Sequence, residues 1–118
     1  MKRLLALIPL VCAASLPAGE ADVLSAEAYC DDDRNCRFDV TVRHADEGWS
    51  HYADRWDVLG PDGQLLGRRT LLHPHVSEQP FTRSLGGVRI PAGLESVRIR
   101  AHDKVHGDGG NEVVVDIR

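Results

Sequence analysis

From Cys36 to Arg43 the chain reads Cys-Arg-Phe-Asp-Val-Thr-Val-Arg, apolar and polar residues in unbroken alternation. A period of two sends successive side chains to opposite faces of an extended backbone, so such a run settles as a half-buried strand. Val97-Arg98-Ile99-Arg100-Ala101 and Val113-Val114-Val115-Asp116-Ile117 repeat the pattern with small lapses. No window has helical spacing flanked by caps. Turn-forming residues recur at short intervals: Pro61-Asp62-Gly63, Gly86-Gly87, Pro91-Ala92-Gly93 and Gly107-Asp108-Gly109-Gly110. The spacing predicts about seven short strands, over 22–30, 36–43, 52–60, 64–72, 80–89, 95–102 and 112–118. The expected fold is all-β, an antiparallel immunoglobulin or fibronectin III-like sandwich. Inward parity selects Phe38, Val40, Val42, Trp56, Val58, Val97, Ile99, Ala101, Val113, Val115 and Ile117 as its core.

The stretch before the first strand reads differently. Lys2 and Arg3 precede an apolar run from Leu4 to Leu16, which is too short to span a bilayer. This is the pattern of a secretory signal peptide over 1–21, cleaved after Ala18 or Ala21, of which Ala21, with Gly19 before it, fits the small-x-small rule slightly better, with a single domain over 22–118. Val11 stands before Cys12 where a lipobox usually has a small residue, which argues against a lipid anchor. No second apolar stretch is long enough for a membrane span. The expected location is the periplasm or the exterior.

In an oxidising compartment Cys30 and Cys36 read as a disulfide closing the acidic loop between them. No thiol then remains for nucleophilic catalysis, and no catalytic residue is expected. The formal charge of −4 becomes more negative once Lys2 and Arg3 leave with the leader. An acidic chain without a basic cluster does not suit nucleic acid.

The six histidines fall as His44/His51, His73/His75 and His102/His106 in or beside the second, fourth and sixth connections. In an up-and-down sandwich these connections lie at one pole, opposite the disulfide. Two histidines two apart on extended chain, as in His73-Pro74-His75, point the same way. Asp103 shares parity with Ala101, and Asp54 with Trp56, so both carboxylates are expected to face inward. The expected metal ligands are His44, His51, His73, His75, His106 and Asp103, with Asp46 and Glu47 as further carboxylates in the same loop. Asp54, Glu78, Arg83 and His102 are expected around them, His102 being on outward parity. Met1 is the chain's one methionine, which excludes methionine-based Cu(I) carriage, and the lack of a thiolate excludes a blue-copper site. Imidazole with carboxylate suits copper(II), zinc, iron(II) or nickel, and the first three are the expected ions.

Two resemblances accompany this reading. His51-Tyr52-Ala53-Asp54 with Trp56, His73-Pro74-His75 with Glu78-Gln79-Pro80-Phe81-Thr82-Arg83-Ser84-Leu85, and His106-Gly107 with Gly109-Gly110 resemble a family of small exported Gram-negative proteins. That resemblance covers most of the mature chain and implies an exported immunoglobulin-like domain. His51-Tyr52 with Trp56 and Asp103-Lys104-Val105-His106-Gly107 are also similar to the superoxide reductases of the desulfoferrodoxin group, which bind iron on such a sandwich. Asp103 stands where that group has its cysteine ligand. Val88 to Ala101 further resembles the strand E to strand F passage of fibronectin type III domains. The functions these features support are a periplasmic metal carrier, buffer or sensor, a module that recognises a periplasmic partner or small ligand without metal, and a small iron redox protein.

Overall fold

The computed structural model describes residues 19–117. The expected leader, up to residue 18, lies outside the described residues. Seven strands follow in order: β1 Asp22–Cys30, β2 Asn35–Arg43, β3 Ala53–Leu59, β4 Leu65–Thr70, β5 Phe81–Arg89, β6 Ser96–Asp103 and β7 Val113–Asp116. They form two antiparallel sheets, β1-β2-β5 and β4-β3-β6-β7. This is the all-β sandwich anticipated from the period-two runs.

The alternation decides the packing. β2 buries Cys36, Phe38, Val40 and Val42, and β6 buries Val97, Ile99, Ala101 and Asp103, each strand turning its intervening residues outward. Phe38 and Trp56, both fully buried, are the largest members of a core that joins the two sheets. Burial of large apolar side chains is the dominant favourable term in a domain of this size. Gly67 lets β4 approach the other sheet, since a Cβ there would meet Leu85 and Val88 at 3.1 Å.

β3 departs from simple alternation. Its pairing with β6 shifts register between Ala53 and Arg55. The extra residue of such a bulge moves a side chain to the other face. Ala53 is fully buried, and Asp54 lies instead beside His102, its carboxylate 2.6 Å from the His102 Nδ1. The expectation of an inward Asp54 is corrected by that bulge. Asp57 is the other exception: it is fully buried on the opposite side of the sheet from the core residues Trp56 and Val58, under Arg68, Arg100 and Arg55. A buried carboxylate needs such partners. Burial works to raise its pKa, but hydrogen bonds from Arg68 and Arg100 prevail and hold it below the usual value.

Cys30 and Cys36 are paired across the β1–β2 ladder and joined by a disulfide, with a Cα separation of 4.0 Å. Within their loop the Asp31 carboxylate accepts from the backbone N–H groups of Asp33 and Asn35. Strand direction puts this loop at one pole. His44, His51 and the turn after Asp103 lie at the other, at the end of β2, before β3 and after β6.

Candidate metal centre

Two strand ends carry the centre into the domain. His44 continues the inward parity of Val40 and Val42 one step beyond β2 and is 2% exposed. Asp103, the last residue of β6, continues the parity of Ile99 and Ala101 and is fully buried. Beyond it the chain reverses in a tight turn. Asp103 and Gly107 exchange backbone hydrogen bonds of 3.1 Å, with Gly107 at a φ of 75° that glycine adopts readily. Asp103 Oδ1 accepts the His106 N–H at 2.7 Å and so holds the turn.

Oδ2 of the same carboxylate faces three imidazoles. His51 Nε2 lies 2.8 Å away, His44 Nε2 3.1 Å and His106 Nδ1 3.1 Å. One ligand atom from each of His44, His51 and Asp103 falls within 4.8 Å of the others, so the three could hold a metal ion. The His44 and His51 rings meet edge to face at 4.8 Å, and His51 and His106 are 5.0 Å apart. His44 and Asp103 side chains are sealed, His51 is 15% exposed and His106 38%. The centre is therefore closed from below and open on the His106 side.

A second set of carboxylates stands behind the rings. Asp46 Oδ1 lies 2.5 Å from His44 Nδ1 and accepts the Ala53 N–H at 3.0 Å. Its Oδ2 accepts the His75 N–H at 2.6 Å. Glu47, four residues before His51, places Oε1 2.6 Å from His51 Nδ1. Carboxylates in this position fix ring tautomer and orientation at metal centres. Gln79 ties two loops together, accepting the His44 N–H through Oε1 and donating through Nε2 to the His75 carbonyl. The Gly19 carbonyl oxygen completes the surroundings, 2.7 Å from His44 Nε2 and 3.4 Å from His51 Nε2.

The electrostatics follow the contacts. The Glu47 carboxylate raises the His51 pKa above its ordinary value, burial opposes the rise, and Asp103 and the Gly19 carbonyl add to it. Burial works to raise the Asp103 pKa, but hydrogen bonds from His106, His51 and His44 prevail and lower it.

Of the residues selected from sequence, the structure brings His44, His51, His106 and Asp103 together. It sets His73 and His75 apart from them. His75 is 4% exposed, stacks on Phe81 at 3.9 Å between centroids, and receives an Arg83 hydrogen bond on Nε2 at 2.9 Å. Its pKa is lowered by burial, then by Arg83 and His73. His73 is exposed, with Nδ1 turned to the Pro74 carbonyl. The Asp46 carboxylate, bonded to both the His44 ring and the His75 backbone, stands between the two histidine groups. Glu78 is exposed and pairs with Arg83 at 3.6 Å, and His102 pairs with Asp54, so none of these four supports the rings around Asp103. Asp46 and Glu47, grouped by sequence with the candidate donors, stand behind the rings. The Gly19 carbonyl is not among the sequence candidates, because a backbone oxygen leaves no signature in side-chain pattern.

A protein of Halomicrobium mukohataei whose name reads "Putative lipoprotein" is 44% identical over 97 residues, covering 82% of this chain. The chain spans 47% of that relative's length. No family model matches the chain, and no solved structure does.

Proposed function

We propose that this chain is a metal-binding domain of the cell envelope, taking one transition-metal ion through His44, His51, His106 and Asp103. The observation that carries the reading is the surroundings of His44. Nδ1 meets the Asp46 carboxylate, and Nε2 meets two more oxygens, Asp103 Oδ2 and the Gly19 carbonyl. A neutral imidazole has one N–H and one lone pair. If the hydrogen lies on Nδ1, the Nε2 lone pair faces oxygen lone pairs. A metal ion between them would satisfy both sets of lone pairs. His51 repeats the arrangement with Glu47 on one nitrogen and Asp103 on the other. The pocket is thus built for positive charge in which protons and a divalent ion compete.

Three imidazoles and a carboxylate suit zinc, copper(II) or iron(II). The exposed edge at His106 leaves a route for the ion to enter and leave, as a carrier, buffer or sensor requires. Among the described residues both cysteines are held in the disulfide, so no thiolate supports superoxide reductase chemistry. The envelope location draws on the leader pattern and on the relative's name, which also makes Cys12 a candidate for lipid attachment against the argument from Val11.

A second reading has its own observation. Trp49, Leu72, Val76 and Val105, each more than half exposed, sit on the same three connections as the histidines. Exposed apolar residues grouped at one pole favour recognition of a partner. Metal analysis of untagged protein taken from the periplasm separates the two. A stoichiometric ion, with calorimetric Kd below micromolar for zinc, copper(II) or iron(II), supports the first. No uptake by any of the three leaves the recognition module.

A further inference from the structure

The chain from Gly19 to Val23 is laid across the metal pole and fixed there. Ala21 and Val23 are fully buried in the core. The Val23 N–H donates to the Asn111 carbonyl at 2.9 Å, and Asn111 Nδ2 donates back to the Val23 carbonyl at 3.0 Å. The Asn111 N–H donates to the Asp22 carboxylate at 2.7 Å. Gly109 and Gly110 leave room for this passage, since a Cβ on either would strike Glu20 or the Ala21 carbonyl. Gly19 itself is held at a φ of 123°, with the His106 ring filling the space a side chain would need.

Gly19 is also the residue that follows Ala18, one of the two small residues at which the leader pattern places cleavage. Cleavage after Ala21 would remove a buried core residue together with the Gly19 carbonyl. Cleavage after Ala18 would leave both and turn the Gly19 amide nitrogen into an α-amine. An amide nitrogen has its lone pair delocalised into the carbonyl and does not ligate unless deprotonated, whereas a free amine does.

We propose that removal of the leader after Ala18 completes the centre, with the new Gly19 α-amine and its carbonyl oxygen chelating copper(II) beside His44, His51 and His106. This rests on the metal-binding reading above and names its metal. An amine nitrogen and the carbonyl oxygen of one residue close a five-membered ring on an ion. The carbonyl already stands 2.7 Å and 3.4 Å from the Nε2 atoms of His44 and His51, so an ion between those nitrogens and Asp103 lies within its reach. A nitrogen-rich set that includes an amine favours copper(II) over zinc. The unprocessed chain, with an amide at this position, would hold copper(II) less tightly, so loading would follow export.

The test compares two forms of the exported protein. One is the native mature chain, whose mass should fix Gly19 as its first residue. The other is the same protein acetylated at the α-amine, with lysine modification controlled on a Lys104→Arg background. Copper(II) affinity should fall on the order of tenfold or more on acetylation, and the electron paramagnetic resonance spectrum should lose one nitrogen coupling while thermal unfolding of the metal-free protein stays unchanged. Equal affinity and spectra in the two forms would overturn the amine ligand while leaving the histidine centre standing. A mature chain beginning at Asp22, from cleavage after Ala21, or at Cys12 would overturn it as well. Absence of copper(II) binding in both forms would overturn this inference, and absence of zinc and iron(II) binding as well would overturn the metal reading it rests on.

Discussion

Asp103 Oδ2 lies 3.1 Å from His44 Nε2, although 59 residues separate the two in sequence, and both side chains are fully shielded from solvent. The contact joins the end of β2 in one sheet to the end of β6 in the other. A buried carboxylate that receives three imidazoles organises this pole, and its charge is the property to remove. Asp103→Asn keeps the shape and loses the charge. It should lower metal affinity on the order of 10–100-fold or more. Calorimetry at constant pH measures this, and unchanged affinity would exclude Asp103 as a ligand.

Two double replacements separate the histidine groups. His44→Ala with His51→Ala should abolish metal uptake. His73→Ala with His75→Ala should leave the ion bound, because Asp46 stands between these residues and the centre. The second variant should still lose stability through the Phe81 stack and the Arg83 hydrogen bond. Uptake lost in the second variant but kept in the first would reverse the assignment.

His75 gives stability a pH dependence of known sign. Its folded pKa is lowered, first by burial and then by Arg83 and His73. As pH falls through about 6.5 the unfolded chain takes up a proton on this ring that the folded chain refuses. The His75 contribution is therefore fully present above about 6.5 and is lost as pH falls towards the folded pKa. His51, whose pKa is raised, acts in the opposite sense: its contribution is present below the unfolded pKa and is lost as pH rises through the folded one. Urea unfolding of the metal-free protein and of His75→Asn across this range isolates the first effect. The stability difference between them should grow in favour of the native chain as pH rises, and then level off.

Trp56, fully buried between the sheets, should cost roughly 3–5 kcal/mol on replacement by Ala. Asp57→Ala should cost about 1.5–3 kcal/mol, because Arg68 and Arg100 lose a charged hydrogen-bond acceptor while keeping partial access to water. Denaturant midpoints compare the two, and a larger loss at Asp57 than at Trp56 would contradict this ordering.

Much of this architecture is legible in the side-chain pattern, because alternation is a backbone property that burial reinforces. It carries β2 and β6 correctly into the core, and with β6 the inward direction of Asp103. The same rule misdirects Asp54, since a bulge between Ala53 and Arg55 has no marker in the sequence. His73-Pro74-His75 reads as a chelating pair, yet the contacts that decide its fate, Phe81 and Arg83, come from the next strand. Asp57 looks like an ordinary outward residue until Arg68 from β4 and Arg100 from β6 close over it. Gly19 offers only a carbonyl, and cleavage after Ala21 instead of Ala18 would start the chain at Asp22 and discard it.

The direction of β7 governs how the domain tolerates attachment. Its last residues run towards the disulfide pole, where the Ile117 N–H donates to the Glu95 carbonyl. A fluorophore, surface tether or fusion joined behind Ile117 therefore emerges at the far end from the imidazoles and leaves their open edge clear. A tag joined ahead of Gly19 is delivered onto that edge, where a run of histidines would compete for the same ion.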